Sequence, residues 1–201
     1  MQIEATVTNR SVGLMPASFG FHPGFRWPLE TGFDKRDHVL RFAQDERLIV
    51  ARPVNTLLGS ERTEIGLSNG TLPLDEKMFE RGALILLALR NRQTRFEAVN
   101  GSLAINLAFD GLANLGLWMR PGADFFCIEP WQGHADPHDF TGDFFEKPGL
   151  DLIQSGGSRT YRMTISVIDQ QKKGGVSAVQ RHVGSLNPAP SAKLLAPCPA
   201  L

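Results

Sequence analysis

Cysteine, surplus charge and long apolar runs are all scarce in this chain of 201 residues. There are two cysteines, Cys127 inside the apolar run Phe125-Phe126-Cys127-Ile128 and Cys198 in a Pro-rich tail. A disulfide framework needs more cysteines in a smaller chain, and a zinc site needs closer spacing. Two thiols in such different settings fit a reducing compartment. The 21 basic and 21 acidic residues cancel, which leaves no basic surface for nucleic acid and no acidic tail. No stretch approaches the roughly 18 apolar residues that a membrane span requires. Met1–Thr8 has neither a basic n-region nor an apolar h-region, so it is not a signal peptide. The chain therefore reads as cytoplasmic, with no membrane and no nucleic-acid partner.

Signatures of cofactor and hydrolase chemistry are missing too. No Walker-type Gly-Lys-Ser/Thr run, no Rossmann fingerprint and no Gly-x-Ser-x-Gly elbow occurs. Helical periodicity is poor throughout, and only Leu74–Glu80 offers a turn or two. No repeat of solenoid length is present.

What remains is a succession of short strand patterns. Ile3, Ala5 and Val7 alternate with Glu4, Thr6 and Thr8, so one face is buried and one is wet. Asn9-Arg10-Ser11 then reads as a turn. Further strands are expected over His38–Ala43, Arg47–Ala51, Leu84–Leu89, Leu115–Met119, Phe125–Ile128 and Tyr161–Ile168. Asn100-Gly101 predicts a hairpin between Arg95–Val99 and Ser102–Phe109. With 20 glycines and 13 prolines at short intervals, the pattern predicts an all-β sandwich. From Gln170 the chain lacks aromatics and ends in proline-rich stretches. Residues 1–169 are thus read as one domain and 170–201 as a disordered tail, dispensable for folding.

Two runs concentrate the chemistry. Phe19-Gly20-Phe21-His22-Pro23-Gly24-Phe25 sets an imidazole among aromatics, with glycines that admit a close approach. Cys127-Ile128-Glu129-Pro130-Trp131-Gln132-Gly133 sets a carboxyl at the end of an apolar strand. A carboxylate there is costly unless it is paired, hydrogen-bonded or working, and burial raises its pKa toward that of a general base. Each residue keeps a structural alternative. His22 could be a core histidine bonded to a carbonyl, and Glu129 could pair with Arg120 or Arg26. The run His134, Asp136, His138 and Asp139 suggests a metal, but it lacks a second cluster and Pro137 interrupts it. Arg26, Arg36, Arg41, Arg90 and Arg92 are candidates for a sugar phosphate, although scattered strand arginines usually lie on a wet face.

Together the two runs resemble the aldose 1-epimerase (galactose mutarotase-like) family, in particular its LacX-type branch. The similarity runs in order over about residues 1 to 168. It includes Leu72-Pro73-Leu74, Phe79, Ala83-Leu84-Ile85, Gly116, Trp118, Pro121-Gly122-Ala123, Ala135-Asp136, Gly142-Asp143 and Phe145-Glu146-Lys147. The resemblance implies a β-sandwich, incomplete at its N-terminus, that binds a hexose in a cleft on one sheet. It implies His22 as the acid that protonates the ring oxygen and Glu129 as the base at the anomeric hydroxyl. Phe25, Arg26 and Trp131 are the implied substrate contacts. The implied chemistry interconverts the α and β anomers without a metal or organic cofactor.

The match has departures. The family's N-terminal strands and further Arg and His contacts have no counterpart, and Gly82 stands where relatives often carry an acidic residue. Glu80 is a possible substitute. Missing strands would leave open sheet edges, so a homodimer is a further expectation. The alternatives are a carbohydrate-binding protein without turnover, a hexose-phosphate epimerase, or a folding-impaired remnant.

Overall fold

In the computed structural model the described residues are 1–169, so the expected tail and Cys198 lie outside them. In chain order the strands begin with β1 (Gln2–Thr8), β2 (Met15–Ala17), β3 (Phe19–Gly20), β4 (Gly24–Arg26), β5 (His38–Phe42) and β6 (Arg47–Ala51). Next come β7 (Pro53–Val54), β8 (Leu57–Leu58), β9 (Thr63–Gly66), β10 (Thr71–Pro73), β11 (Leu84–Leu87) and β12 (Gln93–Ala98). The series closes with β13 (Leu103–Asp110), β14 (Asn114–Trp118), β15 (Phe125–Gln132), β16 (Asp151–Ile153) and β17 (Ser158–Asp169). Helix among the described residues is confined to three short 3-10 turns, one of them Glu76–Phe79 inside the expected helical stretch.

Two antiparallel sheets carry the fold. One runs β1-β17-β13-β12-β5-β10; the other runs β3-β15-β14-β11-β6-β9, with β4 also paired to β15. Alternation along each strand decides what lies between them. Leu40, Phe96, Leu107, Tyr161 and Met163 from the first sheet meet Val50, Leu86, Leu117, Phe126 and Ile128 from the second in one buried core. β17 follows the expected period at Tyr161 and Met163, whereas Val167 is 66% exposed. In β1, Ala5 and Val7 pack on the core while Ile3 stays exposed. Asn9 ends that strand as expected. Its buried side-chain amide donates to Gly13 and Ile153 carbonyls, and its oxygen accepts the Ser11 N–H at 2.8 Å.

The Asn100-Gly101 hairpin forms, with Asn100 at φ 65°, a left-handed conformation that asparagine tolerates. The short strands β2, β3, β4, β7, β8, β9, β10 and β16 were not expected. Two to four residues are too few to display a period.

One sequence expectation needs correcting. Glu129 does not end its strand, because β15 continues through Pro130 to Gln132. The strand pairs Cys127 with Gly24 and Trp131 with Gly20. That register places Phe21 opposite Pro130, His22 opposite Glu129, and Pro23 opposite Ile128. Phe21 N–H donates to Pro130 O at 3.0 Å and Ile128 N–H to Pro23 O at 3.2 Å. Each proline lacks the N–H for the return bond. The ladder is therefore halved on both sides of His22 and Glu129.

Candidate active site

The outer face of the second sheet carries the site. The ladder aligns Ala51 with Ile85, Ile85 with Gly116, Gly116 with Glu129, and by register Glu129 with His22. This row is the floor. A second apolar cluster of Ala51, Leu58, Ala83 and Ile85, with Leu87, Trp118 and Trp131 against it, covers the same face. Above it a cleft of about 380 Å³ is lined by His22, Glu129, Trp131, Thr56, Gln132 and His134 among others.

The walls come from segments without an obvious chemical signature. β7 and β8 form a tight hairpin whose tip residues, Asn55 and Thr56, both take positive φ. Leu58 of that hairpin exchanges backbone bonds with Asp136 O and His138 N–H, each at 2.8 Å. This joins the hairpin to the His134–His138 segment. Thr56 and Gln132 were missed by sequence reasoning; only the Asn55-Thr56 pair, as a turn signal, hinted at the hairpin.

Trp131 is held by two missing side chains. A Cβ on Gly116 would stand 2.7 Å from its ring carbons, and one on Gly20 would also strike the indole. With glycine at both positions the ring lies down over the sheet and leaves part of its surface in the cleft.

Glu129 is the unusual group. Its side chain is fully buried, and neither carboxyl oxygen has a hydrogen-bond partner. Burial pushes its pKa up to about 8. Its nearest ionisable partner is His22, with Nε2 at 3.4 Å from Oε1, close enough for ionic attraction but without a hydrogen bond. His22 is 46% exposed and meets Trp118 edge-on at 6.2 Å. Neither Arg120 nor Arg26 pairs with Glu129 among the described residues. The face opposite Glu129 belongs to the imidazole.

The remaining expectations divide. Trp131 lines the cleft. Phe25 does not: it pairs with Phe126 and packs on the central core, one position out of phase with His22 and Gly24. Arg26 shares His22's face of the sheet but sits at the end of β4, exposed and outside the cleft lining. Arg36 pairs with Asp75 and Arg41 with Glu97. Among the described residues, no arginine or lysine lines the cleft. The His134–Asp139 run does not converge as a set of ligands among the described residues. Asp136 instead pairs with Lys147 at 2.6 Å, and His134 bonds the Ala135 carbonyl. Glu80 is exposed, and Gly82 takes φ 85°.

No protein-family model matches the chain, and no curated protein does. Solved structures do. A galactose mutarotase related enzyme from Lactobacillus acidophilus superposes with TM-score 0.72 at 24% identity, over 82% of this chain and 57% of that one. A galactose mutarotase-like protein from Lactobacillus casei gives 0.72 at 21% identity, over 83% and 58%. One from Clostridium acetobutylicum gives 0.59 at 15% identity, over 84% and 52%. The chain has the galactose mutarotase-like fold. It spans less than three-fifths of the length of these structures. Within that mutarotase-like sandwich, the cleft lies on the outer face of the sheet that holds β15. Among the described residues, no helix is long and apolar enough to cross a membrane.

Proposed function

We propose that this cleft binds a neutral hexose and interconverts its α and β anomers by proton transfer between sugar, His22 and Glu129. The observation that carries the reading is the buried, unbonded Glu129 carboxyl facing a half-exposed imidazole at 3.4 Å. A group left without hydrogen bonds in a protein interior costs stability, and a ligand hydroxyl would supply the bond.

Ring opening requires a base at the anomeric hydroxyl and an acid at the ring oxygen. These two sugar atoms sit on one carbon, so acid and base must stand a few ångströms apart. Glu129 takes the hydroxyl proton as His22 gives one to the ring oxygen. The C1–O5 bond breaks to the open aldehyde, and rotation about C1–C2 presents the other face. Reclosure returns both protons, with the roles of the pair reversed. The carboxyl pKa raised by burial makes Glu129 a better base than an exposed carboxylate. The net charge of the pair is the same before and after transfer, so the buried site never gains an isolated ion.

Trp131 is the proposed platform for the apolar face of the sugar ring. Among the described residues the lining has no arginine or lysine, which favours an uncharged hexose over a hexose phosphate.

Polarimetry of freshly dissolved α-anomer tests the proposal. The protein should accelerate mutarotation above the buffer rate, with a bell-shaped pH dependence set by the pair. Glu129→Gln and His22→Asn should each remove most of the excess, since such groups contribute about 10²–10⁴-fold. Sugar-dependent quenching of tryptophan fluorescence without any excess rate would instead establish binding without turnover.

A further inference from the structure

A third donor stands beside the acid–base pair, and the mechanism does not use it. His22 Nε2, the Cys127 thiol and a Glu129 carboxyl oxygen all lie within 4.8 Å of one another. Cys127 and Glu129 are two residues apart on β15, so the pleat sends both to the same face. His22 reaches them from across the ladder. Cys127 carries a thiol rather than a disulfide, and the Glu129 oxygens beside it are buried without hydrogen-bond partners.

We infer that His22, Cys127 and Glu129 form a binding site for a thiophilic divalent cation, with zinc(II) the best fit, and that filling it shuts down the cleft's proton chemistry. The donor set is mixed N, S and O, which suits zinc and disfavours the hard, oxygen-seeking magnesium and calcium. A tetrahedral zinc with these ligands needs donor separations of roughly 3.3–3.6 Å. His22 and Glu129 already stand at 3.4 Å, so only Cys127 has to draw in. Three protein donors leave the fourth position open toward the solvent side of the exposed imidazole, by which the ion would enter.

Charge favours the complex as well. A dication with one thiolate and one carboxylate is neutral overall, which limits the cost of holding it in a buried place. Binding releases the thiol proton, and any proton on Glu129, to the buffer. The bound ion takes the Nε2 lone pair of His22 and one oxygen of Glu129, and its charge opposes protonation of the other oxygen, so the pair no longer relays protons with a sugar. Inhibition therefore rests on the function proposed above, whereas binding itself does not.

Cobalt(II), a spectroscopic stand-in for zinc, tests the site on the full chain. The expected result is a one-to-one titration with a thiolate-to-cobalt charge-transfer band in the near ultraviolet, bleached by stoichiometric zinc. Cys127→Ser should abolish the band, Cys198→Ser should keep it, and His22→Gln should weaken cobalt binding at least about tenfold. Absence of the band in wild type, its survival in Cys127→Ser, or its loss in Cys198→Ser would overturn the site. If Cys127→Ser does not fold, zinc protection of wild-type Cys127 against iodoacetamide, mapped by mass spectrometry, decides the same question; no protection overturns it. Zinc should also suppress any mutarotation at the concentration that bleaches cobalt. A protein that binds cobalt here yet never accelerates mutarotation loses the functional reading and keeps the site.

Discussion

Glu46 and Glu129 are both buried carboxyls at the same sheet, and they are treated in opposite ways. Glu46, just before β6, accepts the backbone N–H groups of Arg90 at 3.0 Å and Asn91 at 2.8 Å, and the Asn91 side-chain amide as well. Glu129 is more deeply buried and accepts none. Two of the five histidines, His38 and His22, repeat the contrast. His38 is fully buried with both ring nitrogens engaged, Nε2 accepting the Leu29 N–H at 3.0 Å and Nδ1 bonding the Asp34 carbonyl at 2.9 Å. His22 faces Glu129 and the open cleft. Residue type and burial alone do not separate a structural ion from a reactive one. The count of satisfied hydrogen bonds does: a fold that needs a buried carboxyl closes its lone pairs, and a site that uses one leaves them for the substrate.

Turnover gives the largest expected separation. Glu129→Gln should lower the excess mutarotation rate by about 10²–10⁴-fold, while Glu46→Gln, remote from the cleft lining, should leave it within about twofold. The same assay on His22→Asn and His38→Gln should split in the same way, provided the second variant is measured below its unfolding temperature. Equal losses in both members of either pair would remove the distinction drawn here.

Much of this contrast was legible in the chain. The alternation in β1 and β17 and the turn at Asn100-Gly101 located the strands, because a half-buried sheet imposes a period of two. The same period contained a signal that went unused. If His22 faces the cleft, then Gly24 and Arg26 share its face and Phe25 must point to the core, where it lies. Likewise Cys127, Glu129 and Trp131 necessarily share one face. Glu129 read as a strand end because the apolar run stops there, whereas β15 continues through Pro130. What sequence could not show is that Pro130 deletes one donor and Pro23 another across the ladder, so that two half-paired steps flank His22 and Glu129. The register that brings His22 to Glu129, and the bonds that tie the β7–β8 hairpin to Asp136 and His138, join segments distant in the chain, which no local pattern records.

Stability should separate the two carboxyls next, and with opposite sign. Glu46→Ala strands the N–H groups of Arg90 and Asn91, so it should cost about 2–4 kcal/mol in denaturant unfolding. Glu129→Gln strands nothing that is now bonded. A loss of stability in the Gln variant comparable to that of Glu46→Ala would mean that Glu129 has structural partners after all.

The smallest effect carries the sharpest pH signature. Folded Glu129 keeps its proton up to about pH 8, whereas in the unfolded chain the carboxyl ionises near its ordinary 4.5. Between those values the folded state binds more protons than the unfolded one, so stability falls as pH rises and levels off above about 8. Glutamine resembles the protonated acid and does not titrate. Near pH 4 the two proteins should therefore unfold at the same denaturant concentration. By pH 8 to 9 Glu129→Gln should be the more stable by about 1–2 kcal/mol, below the full linkage of about 1.4 kcal/mol per pKa unit because water in the cleft relieves part of the desolvation. Paired urea titrations at the two pH values measure the difference directly. A stability gap that is the same at both would show that the carboxyl's burial does not resist ionisation, and the raised pKa on which its proposed role as a base depends would fall with it.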